Sequence, residues 1–253
     1  MLYVFLVFNI SFGIVYYMWK QADKWKLETS TLTYEDFPEG FDEIKLFFIS
    51  DIHKRSIPDE MIEFVKGKAD LVLLGGDLME RGVPFDRVRK NIQQLKRIGP
   101  VYFVWGNNDY EVDYHQLDAL LLDEGVIILD NTAVTFESKI GEKLILLGVD
   151  CPTNKRDNLP LALKDSEEGF KILMSHDPSI VDKIHIEDNI RLTVAGHTHG
   201  GQIRIGPFGL YEKGGIKELN ETVLFVSNGY GTSALPLRLG APAQVHLITI
   251  TSS

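Results

Sequence analysis

Apolar residues fall along this chain in short blocks, most of them ending in glycine or in a polar burst. Residues 44–49 (IKLFFI), 70–74 (DLVLL) and 101–105 (VYFVW) are runs of strand length. Their continuity is the mark of strands buried on both faces. Between them the apolar positions space out at helical intervals. Met61, Ile62 and Val65 predict a helix from about Pro58 to Lys68. Val88, Ile92 and Leu95 predict a second that stops before Gly99-Pro100, and Leu117, Leu120 and Leu121 a third over 114–123. This alternation predicts an α/β layer with a largely parallel sheet. The second half is richer in strands, expected at 126–129, 132–137, 143–148, 170–174, 190–195, 202–205, 223–226 and 244–250. Several are close enough in sequence for antiparallel pairing. The pattern as a whole predicts two sheets sharing a core, with helices outside.

The first segment differs. Residues 1–19 carry no charged side chain, and apart from tyrosine hydroxyls only Asn9 and Ser11 are clearly polar. That is about the minimum length for a membrane span, and Tyr16, Tyr17 and Trp19 sit where interfacial aromatics belong. The expectation is a single-pass N-terminal membrane anchor over 1–19; a buried N-terminal helix is the alternative. A cleavable signal is disfavoured, because no basic stretch precedes the run and no A-x-A site follows it. Lys20, Lys24 and Lys26 favour a cytoplasmic face for the remainder. Residues 20–43, mixed in Thr, Ser, Glu, Pro and Gly, read as a connecting segment, and 44–253 as the catalytic domain.

The 253 residues suffice for a sizeable core, and 44% hydrophobic with 25% charged residues is ordinary for a globular protein. A net charge of −10 argues against nucleic acid as the main partner. It does not exclude phosphorylated substrates, since bound cations supply local positive charge. The single cysteine, Cys151, rules out a disulfide within the chain and argues against a cysteine zinc site; it reads as a small buried hydrophobe.

The polar bursts at the strand ends carry the chemistry. They are Asp51-Ile52-His53, Gly76-Asp77, Gly106-Asn107-Asn108-Asp109, His176-Asp177-Pro178 and Gly196-His197-Thr198-His199-Gly200-Gly201. In open α/β sheets the carboxyl ends of strands line the ligand crevice, so five separated stretches are expected to deliver Asp, His and Asn to one place. Carboxylates, imidazoles and an amide oxygen suit Mn, Fe, Zn or similar divalent ions. In D-I-H and H-T-H the two residues stand at i and i+2, which on an extended strand end would point them the same way. Each burst alone is a cap or a turn; together they form a constellation.

With these motifs the sequence resembles the calcineurin-like metallophosphoesterases over nearly all of 44–250. It looks closest to a bacterial, often membrane-attached branch with a G-H-T-H-G-G-Q stretch, here 196–202. The stretches Asn228 to Ser233 and Leu237 to Gly240 also look like that branch. The resemblance implies a four-layer α/β/β/α sandwich with a two-metal centre. Asp51, His53 and His199 would hold the first ion, Asn107, His176 and His197 the second, and Asp77 would bridge them. Two divalent ions (Mn favoured among Mn, Fe, Zn and Co) would share a hydroxide that attacks phosphorus. Asp77, Asn108 and Asp109 occupy the family's catalytic positions. Arg81 and Arg238 are candidate phosphate contacts, because guanidinium forks suit phosphate oxygens.

One position departs from the family pattern Gly-Asn-His-Asp. The histidine usually taken as the leaving group's proton donor is Asn108 here, which can donate a hydrogen bond but cannot transfer a proton at neutral pH. Asp109 loses its imidazole partner. Either the leaving group needs little protonation, as in a pyrophosphate link, or another group such as His115 or a metal-bound water supplies the proton. His185 and His246 lie outside any burst and read as structural or solvated. The function expected is a metal-dependent phosphoesterase or pyrophosphatase acting on a phosphorylated small molecule, nucleotide or lipid-linked substrate. A metal-binding scaffold without turnover is the alternative; a nuclease is disfavoured by the acidity, and no protein partner is inferred.

Overall fold

The computed structural model describes residues 1–253, leaving aside the side chains of Leu2 and Val4. The apolar runs expected as strands come out as strands: β2 (Glu43–Ile49), β3 (Leu71–Leu74), β4 (Val101–Phe103), β5 (Ile127–Ile128), β6 (Thr132–Glu137), β7 (Lys143–Gly148), β8 (Phe170–Met174), β9 (Ile190–Ala195), β11 (Val223–Val226) and β12 (Gln244–Ser252). The helical intervals give α2 (Asp59–Val65), α3 (Phe85–Lys96) and α4 (Tyr114–Asp123).

Two strands and a helix carried no such pattern: β1 (Lys26–Tyr34), β10 (Gly215–Glu218) and α5 (Leu159–Lys164). β1 and β10 are sheet-edge strands, and β10 is exposed along its whole length. An edge strand has little need of the apolar run by which a central strand is read. Residues 202–205, expected as a strand, make only isolated bridges, and Gln202 at φ 50° turns the chain out of extended geometry.

The strands form two six-stranded mixed sheets, in the orders β1-β12-β2-β3-β4-β5 and β10-β11-β9-β8-β7-β6. The first is parallel from β2 to β5, and the second is parallel through β7, β8, β9 and β11. Phe48, Leu73, Val104, Leu146, Ile172, Val194 and Ile248 fill the space between the sheets. Met61, Val88, Ile92, Leu117 and Leu121 bury α2, α3 and α4 on the outer face of the first sheet. Leu159, Ala162 and Ile180 cover the second. The result is the four-layer α/β/β/α sandwich.

The N-terminal expectations need correction. The first helix, α1 (Leu2–Asp23), is 22 residues long. Among the described residues, however, no helix is long and apolar enough to cross a membrane, which overturns the single-pass anchor over 1–19 and the cytoplasmic topology drawn from it. Asn9, Ser11, Gly13 and the tyrosines interrupt the apolar run, and the last turns dock onto the domain instead. Met18 and Ala22 are buried. The Met18 carbonyl accepts from Arg238 N at 3.0 Å, and Arg55 donates to the carbonyls of Asp23 and Lys24. The segment 20–43 is no mere connector either, because residues 26–34 pair with β12 in parallel register from Lys26↔Gln244 to Tyr34↔Ser252.

Candidate metal centre

The carboxyl ends of β2, β3 and β4 meet those of β8 and β9, and the five polar bursts converge there. Asp51, His53 and His199 have ligand atoms within 4.8 Å of one another, and so do Asp51, Asp77 and His176. All five side chains are buried. Asp77 Oδ2 lies 3.3 Å from His176 Nε2 and 3.7 Å from His53 Nε2, between the two expected ligand sets. His199 Nε2 lies 3.4 Å from Asp51 Oδ1.

The ligand candidates do not reach the site as the i, i+2 spacing implied. Asp51 (φ 55°), His53 (φ 51°), Asp77 (φ 51°), His197 (φ 69°) and His199 (φ 49°) all have left-handed backbone. Side chains with a Cβ adopt it at a cost, and such residues gather at functional sites. The strain is held by cross-loop bonds. Asp51 N donates to Gly76 O, His53 N to Asp77 O and Gly231 N to Asp51 O. Close backbone approach is also required: a Cβ on Gly106 would collide with the backbone N and Oδ1 of Asp77.

The donor set fits divalent cations. His53 Nε2 and His199 Nε2 face each other at 3.1 Å, and His176 Nε2 faces His197 Nδ1 at the same distance. Two facing imidazole nitrogens within one acidic cluster are what a shared cation site presents. Asn107 Oδ1 is buried with no hydrogen-bond partner, the state of an amide oxygen waiting for a cation. Its Nδ2 donates to Asn108 Oδ1 at 2.9 Å, which turns the free oxygen inward. His176 Nδ1 bonds to Gly75 O at 2.8 Å, which leaves Nε2 as the donor atom.

Charge couples the cluster. Burial opposes ionisation of Asp77, but His176 and His53 beside it hold its carboxyl well below the usual range. The same contact raises His176 to about 10, against the effect of burial. Burial, reinforced by His53, lowers His199 to about 4 despite Asp51. Sequence reasoning passed over Glu80, whose Oε2 lies 2.9 Å from His53 Nδ1, off the line of a well-directed hydrogen bond. Its place three residues after Asp77 in the same burst was the available signal.

Four of the expected candidates lie outside the cavity. Asp109 is fully buried and outside the cavity; its carboxylate accepts from Asp77 N, Met79 N and Gly106 N, tying two ligand loops together. Arg238 is 0% exposed, and its guanidinium is already engaged by the carbonyls of His199, Asn228, Gly229, Gly231 and Ala241. Arg81 lies exposed beside Glu111, outside the cavity. His115 is exposed on α4 against Tyr114, outside the cavity. Asn108 does line the cavity, with Asn107, His197 and His199. Cys151 is buried, which pushes its thiol up to about 12.

A buried Asp/His/Asn cluster at the seam of two mixed sheets defines a metal-dependent hydrolase of the α/β/β/α class. Residues 44–201 match the family model for the calcineurin-like phosphoesterases, and the chain belongs to that family. It is a metallophosphoesterase, a hydrolase of phosphoric esters. It is 44% identical over 215 residues to YpbG of Bacillus subtilis, covering 84% of this chain and 83% of that one. It is 25% identical to the phosphodiesterase YaeI of Escherichia coli, over 85% and 84% of the two chains. Among solved structures, the NAD nucleotidase NadN of Haemophilus influenzae superposes with a TM-score of 0.53 at 18% identity, over 75% of this chain and 45% of that one. A 5′-nucleotidase precursor from Thermus thermophilus gives 0.52 at 11% identity, over 83% and 54%. The chain thus spans about half of those two structures, and the likeness concerns the fold.

Proposed function

We propose that the cluster holds two divalent cations and cleaves phosphoester or pyrophosphate bonds whose leaving group needs little protonation. Asp51, His53 and His199 form one ligand set, Asn107, His176 and His197 the other, and Asp77 spans both. The observation that carries this reading is the two pairs of facing imidazoles flanking Asp77, with the unpartnered Asn107 oxygen beside them. When bound, the two ions supply Lewis acidity toward phosphoryl oxygens and activate water as a nucleophile.

The chain's own residues do the rest. The Asn107–Asn108 amide contact fixes which oxygen faces the site. Asn108 can offer an N–H to a substrate oxygen but no transferable proton. General acid catalysis is worth roughly 10²–10⁴-fold, so its loss weighs most on alkoxide leaving groups and least on phosphate or aryl oxide. A nucleotide or lipid-linked pyrophosphate meets that condition, and the similarity to the phosphodiesterase YaeI is compatible with such a substrate.

The test compares a p-nitrophenyl ester with an alkyl phosphomonoester in the wild type and in Asn108→His. The variant should raise the alkyl rate at least tenfold and change the p-nitrophenyl rate little. No selective gain on the alkyl ester contradicts the leaving-group reading.

A further inference from the structure

One wall of the site is aliphatic. A cavity of about 340 Å³ is lined by Ile203, Leu210, Ala234 and Leu235 together with His197 and His199. Leu210 is 89% exposed and Leu235 60%, and farther along the same segment Ile205 is 75% and Phe208 78% exposed. Large apolar side chains gathered in water at the mouth of a polar site are the mark of a surface that something apolar covers.

Two polar side chains of this segment are already spent. Gln202 Nε2 donates to the carbonyls of Ser233 and Leu235, and its Oε1 accepts from Ser233 N. Arg204 donates to the carbonyls of Gly200, Pro207 and Tyr211. Neither side chain is free to read the edge of a nucleobase. Tyr211, the aromatic residue in the lining, stands at 62° to the His197 ring with centroids 6.2 Å apart.

Resting on the hydrolase reading above, we infer that the enzyme selects amphiphilic phosphoesters. The phosphoryl group sits at the histidine cluster, and an alkyl or isoprenoid chain on an ester oxygen lies along Ile203, Leu210 and Leu235. These aliphatic residues set specificity.

The experiment uses the full chain loaded with Mn²⁺ and p-nitrophenyl methyl, butyl and octyl phosphates below their self-association concentrations. Each methylene that becomes buried is worth about fourfold in binding, so kcat/KM for the octyl ester should exceed that for the methyl ester at least tenfold. Leu210→Gln and Leu235→Gln should lower the octyl-to-methyl ratio; both residues are exposed, so neither change removes core packing. A flat series, or a p-nitrophenyl ester of thymidine 5′-phosphate outrunning the octyl ester, overturns the inference. Titration with methyl-, butyl- and octylphosphonate separates the two readings. Octylphosphonate binding tenfold tighter, with no ester turned over, keeps the apolar site and sinks the hydrolase reading. Equal affinities sink the apolar site whatever the turnover.

Discussion

At the scale of single residues, buried polar side chains with fixed partners hold the fold around the site. Asp109 is the clearest case. Burial and the charge of Asp77 push its carboxyl up to about 7, while the N–H groups of Gly106 and Met79 pull it down. Asp109→Asn keeps one acceptor oxygen and sets an NH₂ group against backbone donors. It should lower the unfolding free energy by about 2 kcal/mol; unchanged denaturant stability contradicts the tie assigned to it. His246 is a second case. It lies buried between Phe48 and Phe225, with Nε2 2.8 Å from Ser227 Oγ. Burial lowers it from 6.5 to about 4. The neutral ring is the folded form, so the unfolded chain takes up its proton first as the pH falls. The stability associated with it is fully present above pH ~6.5 and is lost as the pH falls toward ~4, to a total of about 3 kcal/mol. In His246→Gln, stability should fall less over that window than in the wild type; equal slopes contradict it. The residues that converge on the candidate site were legible in the sequence because each burst closes an apolar run. The burial of Arg238 was not, since a guanidinium spent on carbonyls and one that binds phosphate look alike in sequence.

At the scale of elements, loops rather than strands decide the site. The strand positions followed from apolar runs, and the edge strands β1 and β10 escaped because they carry none. The left-handed turns at Asp51, His53, Asp77, His197 and His199 were equally hidden, for nothing in their side chains announces them. Arg238 locks the loop that follows β11 to the His199 turn and to the end of α1. Its Nη2 reaches Asn228 O at 2.7 Å and Gly231 O at 2.6 Å, and its backbone N reaches Met18 O at 3.0 Å. Arg238→Met leaves the backbone carbonyls of Asn228 and Gly231 buried without the guanidinium's donors. It should lose about 3 kcal/mol or more in unfolding free energy, and Mn²⁺ affinity should fall with it because His199 loses its support. Wild-type stability and affinity would show that the loop holds its shape without the guanidinium.

At the scale of the molecule, the site exists only where the two sheets meet. The first sheet delivers Asp51, His53, Asp77 and Asn107 from the ends of β2, β3 and β4, and the second delivers His176, His197 and His199 from β8 and β9. No single sheet carries both ligand sets. Cations held by both sets, as proposed, would bind the folded chain over the unfolded one and stabilise it by mass action. The most direct test of the two-cation centre is calorimetric titration of chelator-stripped protein with Mn²⁺, in the wild type and in Asp77→Asn. Two ions per wild-type chain, with at least one site lost or severely weakened in the variant, is the predicted result. One ion or none in the wild type, or the same two sites in Asp77→Asn, contradicts the bridging role on which the proposed chemistry stands.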